Sequence, residues 1–195
     1  MELTVLFEPG IADEETTLDQ SAGLEAFLRQ VEGSAFRIAL VSVRDREEAL
    51  DLVQDAMLRL ATHYAARPPA EWKPLFYRIL QNRIRDWGRR RAVRRGVLSF
   101  FGGQEGEDAD PIVQAPAPAA GEPMRELENG QAMASLEAAL RQLSERQRQA
   151  FMLRCFENLD VAATARAMGV SGGSVKTHYS RAVTRLRELL GDHRS

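Results

Sequence analysis

Cysteine occurs once in the 195 residues, at Cys155. A single thiol excludes an internal disulfide and a cysteine-based zinc site. Its place inside the apolar run Phe151–Phe156 leads us to expect a plain buried thiol. Histidine is almost as scarce. His63, His178 and His193 are scattered, and none stands at metal-ligand spacing with another histidine or an acid. No nucleophile–base arrangement is legible, and Gly102-Gly103 lack the lysine and following helix of a phosphate loop. We therefore expect no enzyme: no catalytic residue, no metal, no cofactor and no small-molecule substrate. No apolar run approaches the ~20 residues of a membrane span, so membrane insertion is not expected. The early acids Glu2, Glu8, Asp13, Glu14 and Glu15 are unlike a signal peptide, which makes a cytoplasmic location the expectation. An excess of positive charge is missing too. The formal net charge is −2, unusual for a free-standing DNA binder.

What the chain does have is helical pattern and partitioned charge. It is 44% hydrophobic and 28% charged, enough to bury cores, and its length suits one or two small domains. Acids crowd the N-terminus and Gln104–Glu128, whereas arginines crowd Arg83–Arg95. Such separation suggests two kinds of partner, one anionic and one basic.

The clearest local signal is DVAATARAMGVSGGSVKTHYSRAVTRLR, from Asp160 to Arg187. Asp160 is a good N-cap for a helix over Val161–Met168. Gly169 supplies the left-handed conformation of a sharp helix exit, and Ser171 caps the next helix. Small Ala162 and Ala165 are expected to let the two helices cross closely, giving a helix-turn-helix. On the second helix Val175, Tyr179, Ala182, Val183, Leu186 and Leu190 form a core stripe of helical period. Ser174, Thr177, His178 and Arg181 fall on the opposite side, with side chains of a size to reach base edges or phosphates in a major groove.

Taken in order, residues 1–21 form an acidic leader without clear period, expected to be flexible. A first domain spans residues 22–95. Its first helix, Leu24 to about Val43, turns Leu24, Phe27, Leu28, Val31, Ala35, Ile38 and Ala39 inward. Asp45 caps a second helix, Arg46–Ala66, with Ala49, Leu52, Val53, Ala56, Met57 and Leu60 as its stripe. Another face carries Glu48, Asp51 and Asp55, with Glu47 and Gln54 beside them. It reads as a docking surface for a basic partner helix, with Leu58 as an exposed apolar contact. Arg67-Pro68-Pro69 breaks the helix. A third helix runs from about Glu71 or Pro74 to Arg95, with Phe76, Ile79, Leu80, Ile84 and Trp87 inward. Arg78, Asn82, Arg85 and Arg89 share a different face, and seven arginines fall within the thirteen residues Arg83–Arg95. Arginine holds phosphate through forked donors. With Trp72, Phe76, Tyr77 and Trp87 nearby, the stretch reads as a nucleic-acid surface, although Phe76 and Trp87 lie on the apolar stripe.

Residues 96–126 change character, with four prolines in Pro111–Pro123 and several glycines and acids but no apolar period. They read as a flexible, extended, acidic linker. A second domain spans residues 127–191. It opens with a helix to Arg141, expected to turn Met133, Leu136, Ala139 and Leu140 inward. Ser144-Glu145-Arg146-Gln147 is a capping box for a helix over Glu145–Glu157, expected to bury Ala150, Phe151, Leu153 and Phe156. The helix-turn-helix follows. The fold expected is thus all-α: two small helical domains joined by a flexible acidic Pro/Gly-rich linker.

These segments together resemble a bacterial RNA polymerase sigma factor of the extracytoplasmic-function (ECF) group. EALDLVQDAMLRLATHY followed by EWKPLFYRILQNRIRDWGRRR looks like the family's second conserved region, and LSERQRQAFMLRCFENLDVAATARAMGVSGGSVKTHYSRAVTRLRELL is similar to its fourth. The resemblance implies a division of labour. Glu48, Asp51, Gln54 and Asp55 would dock on the clamp helices of the β′ subunit of core RNA polymerase. Arg78, Asn82, Arg85, Arg89 and Arg90 would bind and help open the −10 element of promoter DNA. Gly173, Ser174, Lys176, Thr177, His178 and Arg181 would read the −35 element as duplex, and the same domain would touch the β flap. The acidic linker would thread the polymerase channels. An anti-sigma factor is a further expected partner.

Two departures from the family pattern stand out. The usual Glu-Gly-Thr opening of the recognition helix is Gly172-Gly173-Ser174 here, and an acid and an isoleucine of the preceding helix are replaced by Ala163 and Thr164. They leave the mode of −35 binding expected but its base preference open. Two other readings compete: a stand-alone helix-turn-helix repressor or activator that binds duplex DNA without polymerase, and a sigma-like adaptor that docks polymerase without initiating.

Overall fold

The computed structural model describes residues 11–100 and 123–191. Seven helices and no strand are found among them: α1 (Ile11–Val43), α2 (Arg46–Tyr64), α3 (Pro69–Phe100), α4 (Pro123–Arg141), α5 (Glu145–Cys155), α6 (Val161–Met168) and α7 (Gly172–Gly191). The all-α architecture with a C-terminal helix-turn-helix is therefore as expected, and the acidic linker lies largely outside the described residues.

Local chemistry sets most of the boundaries. Asp45 Oδ1 accepts from Glu48 N–H at 3.0 Å at the start of α2. Pro69 is the first residue of α3, where a missing N–H and a fixed φ do no harm. Ser144 N–H donates to Gln147 Oε1 at 3.2 Å, the Gln147 half of a capping box. Three ends differ from expectation. α1 begins at Ile11, inside the supposed leader, while residues 1–10 lie outside the described residues. α3 continues past Arg95 to Phe100, and α4 starts at Pro123 instead of Leu127. These segments lack an apolar stripe of helical period, so nothing in the pattern marked them as helix.

α1, α2 and α3 pack together around Ile38, Ala56, Leu60, Phe76, Tyr77 and Leu80, each 1% exposed or less. α5, α6 and α7 pack around Leu153, Thr164, Val175 and Ala182, with Leu140 of α4 beside them. Several residues of the second group sit differently from expectation. Met133 is 53% exposed, whereas Ala139 and Leu140, farther along α4, are buried. Phe156 is 39% exposed and Cys155 is exposed, so the buried thiol is corrected. The inward residues of α5 are Ala150, Met152 and Leu153. Cys155 is two residues past Leu153, about 200° around a helix and hence on the far side.

The two groups also touch. α3 packs against α6, and α1 against α4, so the buried residues form one connected core.

Candidate nucleic-acid interface

The helix-turn-helix is wired by side chains on both sides of its turn. Asp160 Oδ1 accepts from Ala163 N–H at 2.6 Å. Gly169 has φ 64° and ψ 41°, a left-handed conformation that closes α6. Ser171 Oγ accepts from Ser174 N–H at 3.2 Å and caps α7. Arg146 of α5 donates to Met168 O at 3.0 Å, satisfying a carbonyl at the end of α6. The small residues that let α6 pack inward are Ala163 and Ala167, whereas Ala162 is exposed. The expected role of Ala162 is thus corrected by one position, or 100° around the helix. Thr164 is fully buried, and its hydroxyl donates to Asp160 O at 2.7 Å.

α7 presents the residues expected to meet DNA. Gly173, Lys176, Thr177 and Arg181 are exposed, and Ser174 and His178 are half-buried. The hydroxyls are partly engaged within the helix. Thr177 Oγ1 donates to Gly173 O at 3.1 Å, and Ser174 Oγ lies 2.9 Å from Ser171 Oγ. Lys176 and Arg181 are therefore the extended cationic members of the face. A Cβ at Gly172 would lie 3.3 Å from Val161 Cγ1, so a larger residue there must displace Val161 slightly.

On α3, Arg78, Asn82, Arg89 and Arg90 are exposed, and Arg85 is half-buried. Arg85 donates to Asn82 Oδ1 at 3.3 Å and lies 3.6 Å from Glu145 Oε1 on α5. Arg89 pairs with Asp86 one turn earlier. The nearby rings do not add a stacking platform. Trp72, Phe76 and Tyr77 are buried, and Arg91 lies over the half-buried Trp87 ring at 5.2 Å. Helical period explains this: Trp72, Phe76, Ile79 and Leu80 share one face. Burial, the Glu157 carboxylate and a 3.2 Å contact with Ser34 surround the Tyr77 hydroxyl, and its pKa is pushed well above the ordinary value, by burial first.

On α2, Asp51, Gln54 and Asp55 are exposed and Glu48 is half-buried. They line a groove of about 640 Å³ that also includes Leu58, Met57 and Arg90. Leu58 is 64% exposed, an apolar side chain facing water beside acids. Arg83 of α3 reaches Asp55 at 3.8 Å. The acidic and arginine faces therefore meet at one border, through Asp55, Arg83 and Arg90.

Comparison with known proteins settles the family. Residues 24–94 match the family described as sigma-70 region 2, and residues 133–186 match sigma-70 region 4. RNA polymerase sigma-E factor of Streptomyces coelicolor is 30% identical over 167 residues, covering 85% of each chain. The ECF RNA polymerase sigma factor SigM of Mycobacterium tuberculosis is also 30% identical, over 80% of this chain and 70% of its own length. The chain belongs to the ECF group of sigma factors. ECF factor BldN of S. coelicolor is 29% identical, over 89% of this chain and 63% of BldN. The fold of this sigma factor is shared with RpoE in its co-crystal structure with the anti-sigma factor NepR from Bartonella quintana: TM-score 0.61, 24% identity, 86% of this chain and 96% of that one. CnrH in complex with the cytosolic domain of CnrY gives a TM-score of 0.56 at 18% identity, over 93% and 99% of the two chains. Sigma factors of this family serve promoter-specific initiation by RNA polymerase. In this ECF factor α2 and the arginine stretch of α3 fall in the region 2 match, and the helix-turn-helix falls in the region 4 match.

The sequence reading missed the polar residues that join the two groups of helices: Lys73, Gln81, Gln149 and Glu157. A signal was present. Gln81 sits at helical spacing between Tyr77 and Ile84, and Gln149 stands three and four residues before Met152 and Leu153. Each is a polar residue on an apolar stripe.

Proposed function

We propose that the chain binds core RNA polymerase through the α2 face of Glu48, Asp51, Gln54, Asp55 and Leu58, and directs it to promoters through α3 and α7. The β′ clamp helices are the partner for the acidic face. Arg78, Asn82, Arg85, Arg89 and Arg90 hold phosphates and unpaired bases of the −10 element. Gly173, Ser174, Lys176, Thr177, His178 and Arg181 meet the −35 duplex, while the same domain touches the β flap. An anti-sigma factor restrains the chain, and the site of action is the cytoplasm. The domains that carry these roles are residues 22–95 and 127–191.

The observation that supports this most is the exposed acidic face with Leu58 beside it. A factor that only bound DNA would gain nothing from a row of carboxylates, which repel phosphate. A near-neutral chain binds free DNA weakly, since affinity follows the number of phosphates neutralised. Specificity then arises when core enzyme presents both domains to one promoter, by effective concentration.

The test separates the faces. Asp51→Ala with Asp55→Ala should weaken core binding and leave the chain's DNA-reading helices folded. Arg78→Ala with Arg89→Ala should leave core binding intact and weaken promoter binding by the holoenzyme. Equal loss of core binding in both pairs would sink the assignment. Tight binding of the unmodified chain to duplex DNA alone, without core binding, would favour a stand-alone regulator.

A further inference from the structure

The arginines of α3 do not all share one side. At about 100° per residue, Arg85 and Arg89 fall within about 20° of Arg78 around the helix. Arg83 and Arg90 lie about 140° and 120° away from it. They form a second row, turned toward α2. Arg83 Nη2 lies 3.8 Å from Asp55 Oδ2, and Arg90 lines the groove to which α2 gives Glu48, Asp51 and Asp55.

The charges of these arginines are met differently. Arg83 is matched by Asp55, Arg85 by Glu145 and Arg89 by Asp86. Arg90 is exposed and makes no ion pair or hydrogen bond among the described residues. It shares a groove with three carboxylates, and none of them takes it. A partner that brought cations alone would meet like charge there, and like charges set against each other across an interface cost affinity.

Register places Arg90 along the groove. α2 and α3 are joined by the four residues 65–68 and pack side by side, so they run antiparallel. Asp55 and Arg83 are level with each other. Arg90 is seven residues farther along α3, and Glu48 is seven residues back along α2, about 10 Å in each case. Arg90 is thus level with Glu48. Leu58, 64% exposed, marks the other end of the groove, about 15 Å away along α2.

We propose that the groove takes a helix of a protein partner that carries both signs: cations for Glu48, Asp51 and Asp55, an apolar residue for Leu58 and, about ten residues from that apolar residue, a carboxylate for Arg90. The proposal rests on the polymerase reading above, in which the partner is a β′ clamp helix, and deepens it by making Arg90 a docking residue. Nucleic acid does not suit the groove, because its three carboxylates repel phosphate. One charge pair of opposite sense at one end of the groove fixes the register and direction of the bound helix. Arg90 has five N–H donors, so a carboxylate held by two of them leaves others for a phosphate.

The test uses core polymerase as the probe and reads affinity by titration with labelled chain. Arg90→Ala should weaken core binding about two- to fivefold, the scale of one exposed ion pair. Arg90→Glu should weaken it about tenfold, since attraction becomes repulsion. Both differences should shrink as salt rises. Arg91→Ala removes the same charge one residue on, about 100° around the helix, and should leave core affinity unchanged. Each carboxylate of the clamp helices is then changed in turn to lysine in the core enzyme. One of these cores should bind the Arg90→Glu chain better than the unaltered chain, because the swap restores the pair. Arg90 and Arg91 are both exposed, so the helical circular dichroism signal should be the same in every variant. An Arg90→Ala chain that binds core as tightly as its parent, yet holds promoter DNA less well, would overturn the inference and leave Arg90 to DNA alone. Equal losses for Arg90→Ala and Arg91→Ala would overturn it as an effect of net charge. If the unaltered chain fails to bind core, the polymerase reading falls and the inference with it. If it binds and no swapped core rescues Arg90→Glu, the inference alone falls.

Discussion

Two glycines four residues apart should respond to alanine with opposite signs. Gly169 has φ 64°, and a Cβ built there meets nothing within 4 Å. The cost of Gly169→Ala is therefore purely that of holding an L-residue in the left-handed region, about 1–2 kcal/mol. Gly173 lies in the first turn of α7, and its Cβ would meet only Ser171 Oγ, at 3.8 Å. Alanine there removes chain entropy from the unfolded state without a clash and should stabilise by about 0.5–1 kcal/mol. Gly172→Ala should fall between the two, since its Cβ would press on Val161 Cγ1 at 3.3 Å. In a chain of this size each kcal/mol moves Tm by about 2–4 °C. Gly169→Ala should thus lower Tm by about 2–8 °C and Gly173→Ala raise it by about 1–4 °C, measured by circular dichroism during heating. Gly169→Asn should cost less than alanine, because asparagine tolerates the left-handed region. A neutral or stabilising Gly169→Ala would refute the account of the turn that aims α7.

Four further outcomes are expected. Tyr77 is buried with its pKa raised, so above pH ~10 the unfolded chain loses a proton that the folded chain keeps; stability should fall with rising pH by up to about 1.4 kcal/mol per unit. Tyr77→Phe should remove that slope, as read by urea unfolding between pH 9 and 11. Leu58 is 64% exposed, so Leu58→Ser should change folding stability by no more than about 0.5 kcal/mol yet weaken core-polymerase binding in a pull-down titration. Leu60→Ala, at a fully buried position, should cost about 2–5 kcal/mol. Lys176→Ala and Arg181→Ala, if they remove phosphate contacts, should each lower the salt dependence of holoenzyme binding to −35 DNA by about one charge.

What could be read from sequence was what is local. Asp45, Asp160, Gly169 and Ser171 act within three or four residues, and the structure finds them capping as their types demand. The stripes of α2 and α3 were legible because burial repeats with the helix. Cys155 and Phe156 were misplaced by treating an apolar run as buried throughout, when a helix can turn only one side inward. The candidate DNA-facing residues of α7 were legible as a polar face, but the commitment of Ser174 and Thr177 to bonds within the helix was not. The polar contact between the two groups of helices was hidden for a different reason. Gln81 and Gln149 meet across 68 positions, and no local pattern pairs an amide with one so distant. Their presence on apolar stripes was the trace available.

The division of labour is tested most directly by transcription. Purified chain and sigma-free core polymerase are mixed with a library of bacterial upstream DNA, and the transcripts are mapped. The account predicts transcripts whose templates share one −35/−10 pair and which vanish when Asp51 and Asp55 are both changed to alanine. Core binding without such transcripts would leave an adaptor in place of an initiation factor, and transcripts unaffected by the two substitutions would contradict the docking face.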